Sequence, residues 1–215
     1  MRLWYKTGDI TALRELSHRK VVCLDIETTG FDPCADEVLQ VALVRGDGEP
    51  MLSRYVRPER RSSWPSAQRV HGISPSMVES CPLLASLKPE IERAFEGAGL
   101  IVGYNAPFDL SFLQAADISF GNAAVFDVMR EFAPVVGRWD ADRQRYAWVS
   151  LAYCAQFYGV SFRAHDALED ARATLECFCA MIGKDPARCG FPSSTAYLDV
   201  VARYSRMKTR ERRER

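Results

Sequence analysis

Residues 21–30 read VVCLDIETTG. Four apolar residues, two of them β-branched, open a buried strand, and two carboxylates follow at positions 25 and 27. Successive strand side chains alternate between faces, so Asp25 and Glu27 project from one face while Ile26 turns the other way into the core. A chain that starts its sheet this way must arrange its other elements around two like charges a few ångströms apart. Such charges resist joint ionisation unless a shared proton or a cation relieves them. A hard divalent cation is the simplest relief. Thr28, Thr29 and Gly30 follow where the chain leaves the sheet, offering hydroxyls and backbone N–H groups suited to a phosphate or sugar edge. The same D-x-E spacing also suits a solvated strand end, so the residues downstream carry the decision.

Ahead of this strand, Ile10, Leu13 and Leu16 recur at helical spacing and predict an amphipathic helix over 10–20. After a turn at Phe31-Asp32-Pro33, the Val- and Leu-rich segment 37–45, the tight turn Gly46-Asp47-Gly48 and residues 51–56 predict an antiparallel hairpin beside the first strand. The polar stretch 57–70, with its arginines and prolines, reads as a loop of the kind that often carries binding groups. His71 closes that loop, Ser74 and Pro75 mark a helix start, and 83–94 is helical. Leu100-Ile101-Val102-Gly103 is a short buried strand. The alternation of strands and helices indicates an α/β architecture with a partly parallel sheet.

Two further acids stand where a surface carboxylate would be out of place. Asn105 and Pro107 open a helix with Asp109 in its first turn, and Phe112 and Leu113 three and four residues on give that stripe an apolar, inward-facing character. A favourable position near the helix dipole is the plainer account of Asp109. The stretch AHDALEDA at 164–171 opens a helix running to about 182. There Asp166 and Glu169 have capping-box spacing, which makes Asp166 a helix cap, while Asp170 sits beside small Ala171 where the helix can approach the sheet closely. The loop before it can bend the His165 imidazole toward the side Asp170 faces. Residues 130–147 read as a polar, charged connection and 148–158 as another core helix.

At 215 residues and 47% hydrophobic content the chain can bury one full core. The N-terminus lacks the apolar run of a signal peptide, and no apolar stretch approaches the roughly 20 residues that span a bilayer, which points to a soluble, cytoplasmic protein with no membrane partner. Seven scattered cysteines, at 23, 34, 81, 154, 177, 179 and 189, match neither a disulfide framework nor a zinc site. Basic and acidic residues balance at 28 each. Committing four carboxylates to cations leaves 28 − (28 − 4) = +4. The bases also cluster, at Arg54, Arg57, Arg60, Arg61 and Arg69 and in the terminal MKTRERRER, as a phosphate grip would require or a solvated face would allow.

Taken together, D-I-E-T-T-G, Y-N-A-P-F-D and H-D-A-L-E-D resemble, in order and spacing, the three motifs of the DEDDh 3′→5′ exonucleases. This DnaQ-like group includes proofreading subunits of bacterial replicative polymerases, RNase T and oligoribonucleases. The resemblance covers residues 20–183, and H-G-I at His71 also recurs in the family. It implies an RNase H-like mixed sheet of about five strands flanked by helices. The exonuclease domain is expected over 1–184, and the extension over 185–215, partly helical and basic at its end, has no counterpart in the family. The resemblance further implies Asp25, Glu27, Asp109 and Asp170 as ligands of two Mg²⁺ or Mn²⁺ ions, with His165 as the general base. Thr28, Thr29, Asn105, Phe108 and His71 are then candidates for holding the terminal nucleotide. The implied activity is removal of nucleoside 5′-monophosphates from single-stranded DNA or RNA 3′ ends, with a polymerase or other replication or repair protein as a further partner. Tyr104 stands where many relatives carry histidine. A catalytically weak binding module of the same fold and a phosphoesterase acting on very short oligonucleotides are the competing readings.

Overall fold

The computed structural model describes residues 13–14 and 16–183. Strands β1 (Val21–Thr28), β2 (Val38–Arg45) and β3 (Pro50–Tyr55) form the expected antiparallel meander. Strands β4 (Leu100–Gly103) and β5 (Ala124–Asp127) add in parallel on the other side of β1, giving the order β3-β2-β1-β4-β5. The helices are α1 (Pro65–His71), α2 (Pro75–Val78), α3 (Leu84–Phe95), α4 (Ala106–Ala115), α5 (Val128–Val136), α6 (Leu151–Tyr158) and α7 (Ala167–Ile182). A two-stranded hairpin, β6 (Trp139–Asp140) and β7 (Arg145–Tyr146), stands between α5 and α6.

Alternation along β1 divides the core in two. Val21 and Cys23 pack with Ala171, Leu175 and Phe178 of α7, while Val22, Leu24 and Ile26 pack with Ile91 of α3 and with Leu110 and Leu113 of α4. Helix α7 comes so close that the Cys23 thiol donates to the Ala171 carbonyl at 3.1 Å, an approach that the small side chain of Ala171 permits. Leu175 is fully buried on this face, and Leu175→Ala would cost about 2–5 kcal/mol by the usual sum of lost transfer energy and cavity. Cys23, Cys154, Cys177 and Cys179 are buried thiols, and Cys34 is exposed.

Several expectations change. The stretch 57–70 is not all loop, because residues 65–70 belong to α1, opened by Pro65 and closed by Gly72 at φ 77°. Seven residues with no fully buried side chain leave little apolar periodicity to read. Residues 130–147 hold most of α5 and the β6–β7 hairpin, where a polar connection was expected. Pro134 lies inside α5, and the charged residues beyond Gly137 mask the pattern. Asn105 opens α4 without capping it through its side chain; it adopts the left-handed conformation at φ 66° that asparagine tolerates. Of the helix expected over 10–20, residues 10–12 and 15 lie outside the described residues, and His18–Lys20 form a single 3₁₀ turn. The extension over 185–215 also lies outside them.

Candidate active site

Strand β1 outruns its parallel neighbour. The β1–β4 register ends at Cys23 opposite Val102, so beyond it β1 has no strand on that side. The Asp109 carboxylate of α4 fills the gap, accepting the Ile26 N–H at 3.1 Å. That bond fixes a nine-tenths-buried carboxylate beside the strand residues flanked by Asp25 and Glu27. Gly103 lets β4 turn into α4, since a Cβ there would meet the Ala106 Cβ at 2.9 Å. On the opposite face, α7 delivers Asp170, whose carboxylate oxygens accept the His165 backbone N–H at 3.2 and 3.3 Å. His165 holds φ 71°, and this second left-handed non-glycine at the site turns the loop just before α7. Ligand atoms of Glu27, His165 and Asp170 all lie within 4.8 Å of one another.

The carboxylates feel this crowding. Burial first, then the charges of Asp109, Asp170, Glu27 and Asp166, push the Asp25 carboxyl well above the usual range. Burial raises Glu27 to about 8, reinforced by Asp170 and Asp166. Asp170 rises to about 6, mainly by burial, against the lowering pull of the His165 N–H and charge. Burial also raises Asp109, and its hydrogen bond from Ile26 opposes the rise. Four acids destabilised as anions in one place are a donor set made of hard oxygen, which suits a divalent cation better than a lone proton.

The other expected residues fall around this centre. Asp166 is the α7 cap, accepting from the Leu168 and Glu169 N–H groups; Glu169 pairs with Arg172 and does not close the box. Thr28 and Thr29 are buried with their hydroxyls engaged: Thr28 donates to the Gly30 carbonyl, and Thr29 donates to Asp36 while accepting from the Glu37 N–H. His71 accepts the Ile73 N–H at Nδ1, so its Nε2–H donates to the Thr28 carbonyl at 3.2 Å. Burial holds its imidazole below its ordinary pKa. The Asn105 carboxamide makes no hydrogen bond among the described residues. Phe108 stacks toward Phe112 at 5.0 Å and Phe31 at 6.3 Å. The Tyr104 hydroxyl donates to the Val149 carbonyl at 2.8 Å.

Sequence reasoning missed four contributors. Asp127, fully buried at the end of β5, accepts the Asn105, Met129 and Arg130 N–H groups, so one carboxylate both caps α5 and holds the turn into α4. A short apolar run ending in Asp was its only signal. Gln40 of β2 accepts the Ala167 N–H and pins the start of α7; nothing in its sequence context announces that. Phe31 is 90% exposed beside the site. Finally, Glu37 accepts the backbone N–H groups of Glu59, Arg60 and Arg61, while the Arg60 and Arg61 guanidinium groups donate to carbonyls of 34–36. Those arginines clasp the loop that carries Phe31. Gly30 sits so close under it that a Cβ would meet the Asp36 carboxylate at 2.4 Å.

A family model described as Exonuclease matches residues 22–178. The chain is 32% identical over 215 residues to a DNA polymerase III subunit epsilon-like protein of Rhodobacter capsulatus, covering 93% of this chain and 29% of that protein. It is 27% identical over 199 residues to Ribonuclease T of Shewanella frigidimarina, covering 80% of this chain and 86% of that one. A crystal structure of E. coli exonuclease I in complex with a dT13 oligonucleotide aligns with a TM-score of 0.63 at 21% identity, over 78% of this chain and 42% of that one. The likeness shows the fold: a mixed five-stranded sheet flanked by helices, RNase H-like as expected. The chain spans less than a third of the first curated relatives it matches, 29% of the epsilon-like protein and 28% of a putative bifunctional exonuclease/endonuclease protein of Mycobacterium tuberculosis.

Proposed function

The chain belongs to the exonuclease family whose model matches residues 22–178, and from that membership we propose that it is a 3′→5′ exonuclease acting in the cytoplasm on single-stranded DNA or RNA ends. The observation that carries the reading is the gathering of Asp25, Glu27, Asp109 and Asp170 from β1, α4 and α7 within electrostatic reach of one another, with ligand atoms of Glu27, His165 and Asp170 within 4.8 Å. The four carboxylates would hold two Mg²⁺ or Mn²⁺ ions. When bound, the cations lower the pKa of the attacking water and neutralise charge on the departing oxygen.

The chain's own groups do the rest. His165, exposed at the mouth, takes the proton of the water at an imidazole nitrogen as the water's oxygen bonds to phosphorus. The bond from phosphorus to the 3′-oxygen of the preceding nucleotide breaks, and that oxygen takes a proton from solvent water. The products are a nucleoside 5′-monophosphate and a strand with a new 3′-hydroxyl. Asn105, with its carboxamide free, and Phe108, beside exposed Phe31, hold the terminal nucleotide in this reading. Thr28 and His71, joined by the His71 Nε2–H to the Thr28 carbonyl, and Thr29, held by Asp36 and Glu37, shape the wall behind it.

A partner polymerase or repair protein is part of the same proposal, motivated by the epsilon-like relative, whose name refers to DNA polymerase III. Digestion of a 5′-labelled single strand with Mg²⁺ tests the activity. A descending ladder is expected, whereas an intact strand that is merely retarded in a gel would mean a binding module. Matched DNA and RNA strands in the same assay assign the sugar.

A further inference from the structure

The hairpin between α5 and α6 is not used by the hydrolytic site, and its composition is unlike a simple strap. Three of the large apolar side chains exposed among the described residues lie in or beside it: Trp139 at 55%, Trp148 at 46% and Tyr153 at 41%. Trp139 meets Tyr146 across the hairpin edge to face, at 5.2 Å and 83°. The Arg145 guanidinium lies 3.5 Å over the Trp148 ring, and Arg138 lies 5.6 Å over Tyr153. Among the described residues neither guanidinium pairs with a carboxylate; Asp140 is taken by Arg143. Arg60 and Arg61, which the sequence offered as a phosphate grip, are by contrast spent on the Phe31 loop.

Position adds to chemistry. The hairpin is pinned at its base by the Ala147 N–H to the Arg138 carbonyl at 2.7 Å. Directly after Trp148, the Val149 carbonyl accepts the Tyr104 hydroxyl, and Tyr104 adjoins Asn105 at the mouth of the acidic site. Trp148 is thus tied through Val149 to the segment that opens the acidic site, where a strand's 3′ terminus would be held. Resting on the exonuclease reading, we propose that the hairpin is a second binding surface for single-stranded nucleic acid. Nucleotides upstream of the scissile bond stack on Trp139 and Trp148, and Arg138 and Arg145 meet their phosphates. Aromatic platforms beside unpaired guanidinium groups take any base, because every base has a π-face. Arginine already stacked on a ring keeps its N–H donors free for phosphate.

Fluorescence anisotropy with the full chain and a labelled single strand, in the absence of divalent cations, reads the surface directly. Trp139→Ala with Trp148→Ala is expected to weaken binding of a strand of about 15 nucleotides roughly 10–100-fold, and of one of about 3 nucleotides less than about threefold. Phenylalanine at both positions should restore most of the loss. Should the alanine pair fail to fold, Arg138→Gln with Arg145→Gln serves: the slope of log affinity against log salt should fall by about 1.4. An unchanged affinity for the longer strand, or an unchanged slope, would overturn the proposal and leave the rings to a protein partner. Wild-type hydrolysis of a mononucleotide aryl phosphodiester with Mn²⁺ separates the two readings. A chain that binds the longer strand through the rings yet hydrolyses nothing confirms the surface and removes the nuclease.

Discussion

Asp25 and Glu27 owe their character to company as much as to burial. Each carboxyl at the site is raised above its ordinary value, Glu27 to about 8 and Asp170 to about 6. In the metal-free protein the folded state therefore holds protons that the unfolded chain has released. Stability is greatest below the unfolded values and falls as pH rises, between about 4 and 6 for Asp170 and between about 4.5 and 8 for Glu27. Thermal melts in EDTA should show a lower Tm at pH 8 than at pH 5, and added Mg²⁺ should raise Tm more at the higher pH. A flat profile would remove the charge crowding from the account. Asp25→Ala or Asp170→Ala should flatten that slope and abolish hydrolysis while the fold persists; wild-type turnover by either variant at saturating Mg²⁺ would defeat the assignment. His165 poses a sharper question, because a ring nitrogen lies within 4.8 Å of carboxylate oxygens of Glu27 and Asp170. As a base its loss should leave metal affinity intact and lower kcat about 10²–10⁴-fold, with His165→Gln no better. Lost metal affinity, read by calorimetry, would make it a ligand.

At the scale of elements, the site depends on where strands stop. Because β4 ends at Gly103, β1 projects past it, and the exposed edge is closed by one carboxylate from α4. Asp127 braces that arrangement from β5 by holding the Asn105 N–H. Asp127→Ala leaves buried donors unpaired and should cost about 1–3 kcal/mol in denaturant unfolding. It should also lower hydrolysis more than a surface change of equal stability cost, since the turn positions Asp109. Equal activity at equal stability would reduce Asp127 to a cap. The elements legible in the sequence were those with a full period or a clear boundary: β1, the β2–β3 hairpin, α3, β4, α4, α6 and α7. Asp25, Glu27, Asp109, His165 and Asp170 stand out as candidates in the sequence because each sits at such a boundary. Helix α1, too short and too exposed, left no periodic trace, and β5 runs into α5 with no turn residue between them. Gln40 and the Glu37 clasp were illegible for another reason. Their partners are backbone N–H groups far along the chain, and a backbone group carries no mark in sequence.

For the whole molecule the charge balance is zero, so any electrostatic hold on nucleic acid is local. The terminal MKTRERRER carries five bases against two acids. Deleting residues after Arg206 should reduce the salt slope of strand binding, by roughly 0.7 for each phosphate that the basic end neutralises. An identical slope would assign the basic end another role. Among the described residues no helix is long and apolar enough to cross a membrane.

The two cores on opposite faces of the sheet have a temporal consequence. Asp109 belongs to the layer of α3 and α4, and Asp170 to the layer of α7, which is the last described helix to leave the ribosome. Domains fold as they emerge, N-terminal parts first. Until α7 docks against β1, the growing chain carries only three of the four acids and no histidine at the rim. On the proposed exonuclease reading, the order of translation leaves the site incomplete until α7 has emerged and docked.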